Sequence, residues 1–303
     1  MMEEDHIPTK QLLGAHTSIA GGTANAPPRA AALGATAMQI FTKMANRWAE
    51  RVCLDDECVA FRAELRKTDV EVTMAHDSYL INLASPDAAL RARSLESFVA
   101  ELQRCEALGL NYLVSHPGNY IDDRASGIAR NADSISDALA RVPGKTVLCL
   151  ETTAGSGTSL GATFDELAAI IARVDGSVRK RLGVCVDTCH VFSAGYDLAK
   201  DYKGVWARFD DTLGPRKLRA LHLNDSKTPF GSRRDRHELI GEGSLGERVF
   251  RAIMNDERLI RVPKVIETPK LDDVEKTDRA MLERLRSYVR KPAPRQRARR
   301  AGR

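Results

Sequence analysis

Eight short apolar segments recur along the chain, and most stop on a residue that can carry charge or bind a metal. They are "LLGAH" to His16, "AMQIF" to Phe41, "VTMAH" to His76, "YLVSH" to His116, "VLCLE" to Glu151, "GVCVD" to Asp187, "LRALH" to His222 and "KVIE" to Glu267. The steps between those ends are 25, 35, 40, 35, 36, 35 and 45 residues. One strand, one helix and two short loops fill such a step, so the spacing predicts eight βα units. Strands this continuously apolar are buried on both faces, as in parallel sheets covered by helices, and eight units close into an α/β TIM (β/α)8 barrel.

Helical patterns fill the gaps. "PDAALRARSLESFVAELQRCEALG" follows Ser85, places Pro86 near the first helical position, spaces apolar residues by three and four, and closes on Gly109. "TFDELAAIIARV", residues 163–174, sets Thr163 and Glu166 at the spacing of a capping box. Pro27 and Pro28 fall where the first helix is expected, so that helix either begins at Pro27 or is kinked there. A doubly wound open sheet is the competing architecture. It has no need of ionisable residues on successive strand ends, and "GTSLGA" lacks the spacing of a dinucleotide-binding glycine loop.

Charge and cysteine usage narrow the function. The formal charge is +5, but residues 290–303, "RKPAPRQRARRAGR", hold seven basic residues and no acid, so the rest of the chain sums to −2. Such a tail cannot bury apolar surface and is expected to be disordered, either a phosphate-binding arm or a solubilising end. The expected organisation is an N-terminal extension over 1–10, a barrel over 11–289 and the basic tail over 290–303. "MMEEDHIPTK" lacks the basic start and apolar core of a secretory signal, and no apolar run is long enough to span a bilayer, which places the protein in the cytoplasm. Six cysteines without a CxxC pair read as reduced, small apolar residues; Cys53 and Cys58 lack the second ligand pair that a zinc site needs.

In a barrel the C-terminal strand ends converge on one face, so His76, His116, Glu151, Asp187, His222 and Glu267 are expected to share one pocket as a metal cluster. Acids and imidazoles packed together repel or lose solvation, whereas divalent ions neutralise the acids and take neutral ring nitrogens as ligands. His190 follows Asp187 by three, and "RRDRH" sets Asp235 two before His237, which adds three candidates on neighbouring loops. Taken singly, a strand-end histidine is a hydrogen-bonded structural residue and "RRDRH" a solvated charge cluster; together they favour metal. With no cysteine in the set, zinc or manganese is favoured over iron.

The segments "GAHTSIAGG", "HDSYLINLASP", "HPGNY", "ETTAGSGTSLG", "GVCVDTCHVFSAGYD", "HLNDSKTPFGSRRDRHELIGEG" and "VIETP" closely resemble signature segments of endonuclease IV, the metal-dependent apurinic/apyrimidinic endonuclease family, over roughly residues 12–288. The resemblance implies a monomeric DNA-repair enzyme with three zinc ions, in part replaceable by manganese. It implies His76, His116 and Glu151 around one ion, Glu151 bridging to a second with Asp187, His222 and Glu267, and His190, Asp235 and His237 around a third. It also implies a partner, double-stranded DNA containing abasic sites, and hydrolysis 5′ to the lesion by a metal-activated water, leaving 3′-hydroxyl and 5′-deoxyribose phosphate, with Glu151 central to catalysis. Four carboxylates and three divalent ions would leave the site near +2, suited to an anionic phosphodiester.

Two sequence features bear on DNA contact. The family's K-N-x-R-x-W loop reads "KMANRW" here, so Asn46 stands where the inserting arginine is expected and Arg47 follows one later. Tyr79, inside "HDSYLINL", matches a second DNA-contacting position and is otherwise a rim aromatic. The rival readings are a sugar isomerase or epimerase of a xylose-isomerase-like barrel, with one or two ions, and a non-catalytic DNA-binding module, which needs no such cluster.

Overall fold

The computed structural model describes residues 11–290. The expected N-terminal extension, residues 1–10, and all of the expected basic tail except Arg290 lie outside the described residues. Eight parallel strands form a closed barrel: β1 Leu13–His16, β2 Ala37–Phe41, β3 Val72–His76, β4 Tyr112–Ser115, β5 Val147–Glu151, β6 Leu182–Asp187, β7 Leu218–His222 and, after a two-stranded excursion, β10 Lys264–Ile266. The excursion pairs β8 Asp225–Ser226 with β9 His237–Glu238, antiparallel. The ring closes where β1 pairs with both β2 and β10, which excludes the open doubly wound sheet.

Helices α1 Ala26–Ala32, α2 Asp55–Leu65, α3 Ala88–Leu108, α4 Arg124–Arg141, α5 Phe164–Arg173, α6 Thr188–Ala194, α7 Tyr202–Leu213, α8 Glu247–Met254 and α9 Val274–Ser287 lie between and after the strands. Their ends follow local chemistry, with some differences from the sequence expectation. Helix α3 starts after Asp87, whose carboxylate accepts from the Ala89 and Leu90 N–H groups, so Pro86 precedes the cap instead of occupying the first turn. It ends on Gly109 at φ 76°, a conformation that suits glycine. Thr163 caps α5 through the Glu166 N–H, but the Glu166 carboxylate reaches past it to the Gly161 and Ala162 N–H groups. Helix α1 begins at Ala26 and takes both prolines into its first turn, where no backbone donor is lost.

The barrel interior explains where the site sits. Met74, Val114, Cys149, Cys185, Ala220 and Val265, one from each of six strands, form a small core separate from the larger one between sheet and helices. Full burial of such side chains contributes about 1.5–3 kcal/mol for each larger one, and it closes the barrel below its mouth. All six cysteines are free thiols, and Cys149 and Cys185 belong to this plug.

Candidate metal centre

Side chains two apart on a strand share a face. Two residues beyond the plug therefore stand His76, His116, Glu151, Asp187, His222 and Glu267, at the C-terminal mouth of the barrel. The strand ends or the residues just after them supply all six. His190 arrives from the first turn of α6, which Asp187 caps by accepting from the His190 N–H at 2.8 Å. Asp235 and His237 come from the β8–β9 excursion. Asp225 pins that excursion by accepting backbone N–H groups from Gly241, Gly243, Leu245 and Gly246.

The nine side chains fall into three groups whose donor atoms lie within 4.8 Å of one another: His76, His116 and Glu151; Glu151, Asp187, His222 and Glu267; and His190, Asp235 and His237. Glu151 joins the first two. Its Oε2 is 3.1 Å from both His76 Nε2 and His116 Nε2, and its Oε1 is 2.8 Å from His222 Nδ1. In the third group the two oxygens of Asp235 each lie 3.1 Å from an imidazole, His190 Nε2 and His237 Nε2. Neither of those buried nitrogens makes a hydrogen bond. Cys189 also approaches Asp187 and His237, but its thiol donates to the Arg236 carbonyl, and burial pushes its pKa up to about 11.

Hydrogen bonds around the cluster set the ring orientations. His76, His190 and His237 use Nδ1 to donate to the carbonyls of Asp77, Thr152 and Glu267, at 2.9, 2.8 and 3.2 Å, which turns each Nε2 inward. Asn224 braces the acids: its Nδ2 donates to Asp187 Oδ2 at 2.6 Å, and its Oδ1 accepts from the Glu267 N–H. Inward ring nitrogens braced from behind, facing carboxylates, are what a divalent cation requires.

The electrostatics agree with that fit. Burial would raise the Glu151 carboxyl, but the facing His222 and His116 rings outweigh it and hold the group well below the usual carboxylate range. Burial would lower His76 and His237, yet Glu151 acting on the first, and Asp187 with Asp235 on the second, push both up to about 9. Left to themselves the acids are balanced by imidazolium protons; a cation performs the same balance with neutral rings. Uptake of a divalent cation at pH 7 should therefore release at least two protons per chain, from His76 and His237, and its apparent affinity should weaken as pH falls. Calorimetric titrations in buffers of different ionisation enthalpy count those protons, and a count of zero would contradict the assignment.

The mouth is rimmed by exposed groups. Tyr79, 64% exposed, packs edge-on against Phe41 at 5.4 Å and lies 5.6 Å from the His76 ring. Arg47 is exposed on the β2–α2 loop and its guanidinium has no ion pair among the described residues, while Lys43 Nζ donates to its carbonyl. A cleft of about 130 Å³ opens on His116, His190 and Asp235, and another of about 740 Å³ lies beside His16 and Phe41, lined by Met44 and Asn46. His16, a strand end outside the expected metal set, and Gln39, which the reading of strand ends missed, also belong to the mouth layer: Gln39 Nε2 lies 2.6 Å from Glu267 Oε1 and 3.0 Å from His16 Nδ1. Among the described residues no helix is long and apolar enough to cross a membrane.

A family model described as xylose isomerase-like TIM barrel matches residues 27–288. A probable endonuclease 4 from Geobacter sulfurreducens is 45% identical over 289 residues, covering 94% of this chain and 97% of that relative. The crystal structure of endonuclease IV from Thermus thermophilus superposes with a TM-score of 0.79 at 35% identity, covering 89% of this chain and 98% of that one. A D-tagatose 3-epimerase-like protein reaches a TM-score of 0.67 at 16% identity, covering 91% and 98%, a likeness of fold alone.

Proposed function

The chain belongs to the endonuclease IV family of apurinic/apyrimidinic endonucleases, and from that membership and its donor geometry we propose that it hydrolyses the phosphodiester 5′ to abasic sites in duplex DNA, leaving 3′-hydroxyl and 5′-deoxyribose phosphate. The observation that carries this reading is the third donor group: His190, Asp235 and His237 come from α6 and the β8–β9 excursion, beyond anything a one- or two-ion sugar epimerase on the same barrel needs.

The proposed ligands are His76, His116 and Glu151 for one ion, Glu151, Asp187, His222 and Glu267 for a second, and His190, Asp235 and His237 for a third, with zinc or manganese the best match to nitrogen and oxygen donors. Bound there, such ions supply a water of lowered pKa and positive charge facing an anionic phosphodiester. The chain's own part is to aim the ring nitrogens inward and to hold the acids apart, three on separate barrel strand ends and Asp235 on the β8–β9 excursion. DNA is proposed to lie across the mouth, with exposed Arg47, Arg233, Arg234 and Arg236 on phosphates. Met44, Tyr79, Ile121 and Phe230, exposed apolar tips on four different loops, suit insertion where a missing base has already cost the duplex its stacking.

The test is incision of a duplex carrying one abasic analogue, before and after chelation and again after zinc is restored. Cleavage 5′ to the lesion that chelator abolishes and zinc restores is expected; intact duplex together with epimerisation of a ketohexose would replace the proposal with its rival. Arg47→Ala is expected to raise the protein concentration for half-maximal single-turnover incision roughly 10-fold while leaving the saturated rate nearly unchanged. Equal concentration dependence would remove Arg47 from the DNA-reading set.

A further inference from the structure

Gln39 is wholly buried in β2, and its one amide meets three side chains of the mouth. Its Oε1 lies 2.8 Å from His222 Nε2, and its Nε2 lies 2.6 Å from Glu267 Oε1 and 3.0 Å from His16 Nδ1. An amide offers one acceptor and two N–H donors, and all are engaged. An ionised carboxylate can only accept, so the NH2 end must face Glu267 and the carbonyl must face His222. His222 therefore carries a proton on Nε2, and Nδ1, which faces the carboxylates of Glu151 and Glu267, is the nitrogen left to a cation once its own proton is displaced.

The consequence is a ring turned the other way round. His76, His190 and His237 point Nε2 inward, whereas His222 points Nδ1 inward, 2.8 Å from Glu151 Oε1 and 3.2 Å from Glu267 Oε2. Backbone carbonyls receive the outer N–H of those three rings, and no substitution removes a carbonyl. For His222 the acceptor is a side chain. The same amide also fixes the near oxygen of Glu267, so two donors of one group depend on one residue.

We propose that Gln39 is a positioning residue for the ion shared by Glu151, Asp187, His222 and Glu267, selecting the His222 tautomer and aiming the Glu267 carboxylate. The inference rests on the metal-dependent function proposed above. Without the amide, His222 is free to take the other tautomer and present a proton to the ion, while Glu267 can swing towards His16, 3.4 Å from its Oε1. Supporting hydrogen bonds of this kind typically change metal affinity by about 10–100-fold.

The test uses the full chain loaded with zinc and titrated with a chelator of known affinity. Gln39→Met keeps the volume but has no N–H or carbonyl; Gln39→Asn keeps an amide that is one methylene short, and serves in its place should the methionine variant fail to fold. The expected result is that one zinc per chain leaves about 10–100-fold more readily than in wild type while the others follow the wild-type curve. A purely structural role would lower the unfolding temperature of the chelated protein and leave the zinc curve unmoved; superimposable wild-type and variant zinc curves would overturn the inference. A wild-type chain that takes up no zinc would instead overturn the proposed function itself, so the two failures are separable.

Discussion

Glu151→Gln is expected to lower single-turnover incision of an abasic duplex by on the order of 10³-fold or more, and to reduce the zinc content of the chain, while the duplex still binds. The residue is fully buried at the end of β5, and its two oxygens serve different groups: Oε2 faces His76 and His116, and Oε1 faces His222. The amide keeps the shape but removes one negative charge and replaces one oxygen by an NH2 that cannot ligate a cation. Whichever way it turns, one of the two groups loses its shared donor, and the remaining oxygen binds more weakly for want of full charge. The exposed arginines and apolar tips proposed to hold the DNA form no hydrogen bond or ion pair with Glu151 among the described residues, so binding and incision should separate. Metal analysis, duplex binding and incision on one preparation decide it. Full zinc occupancy with near-normal incision would sink the shared-donor assignment and the mechanism proposed on it.

How much of this centre could be read from sequence depends on whether a residue's direction is set locally. His76, Glu151, Asp187 and His222 end apolar segments at barrel spacing, and the structure brings them to one mouth because each stands two residues beyond a plug residue on the same face. On β2 the same habit of reading strand ends points to Phe41, yet the buried polar residue is Gln39. Register explains the difference: Gln39 is level with His16 on β1, while Phe41 is level with His76 on β3. The stagger that closes a barrel is a property of all its strands, and no single segment encodes it. The β8–β9 excursion was legible only as "RRDRH". What holds it is Asp225, four of whose five backbone partners lie 16 to 21 residues ahead, outside any local pattern. The cap of α3 shows the limit at close range, since Pro86 and Asp87 are adjacent and both are good helix starters. The aspartate prevails because its carboxylate satisfies two otherwise unpaired N–H groups at once.

The same stagger makes Gly14→Ala the substitution with the largest expected effect on stability. Gly14 sits in β1 opposite Ala37, and a β-carbon there would lie 1.6 Å from the Ala37 carbonyl oxygen and 2.6 Å from its carbon. Those are backbone atoms of the adjoining strand, so no rotamer change relieves the clash. The strands can part only by giving up the bonds that hold them, such as the Thr36 N–H to the Leu13 carbonyl at 2.8 Å. Strand β1 is also where the ring closes, between β2 and β10, so the displacement would propagate to His16 and to Glu267 across the mouth. A loss of about 4 kcal/mol or more is expected, at the far end of what single substitutions cause. Gly176→Ala is the matched control: its added β-carbon meets nothing within 4 Å, and the change should stay within about 0.5 kcal/mol. Urea unfolding of the three proteins compares them directly. If Gly14→Ala unfolds at the wild-type midpoint with an unchanged slope, β1 and β2 are not packed this closely, and the register that brings Gln39 level with His16 falls with it.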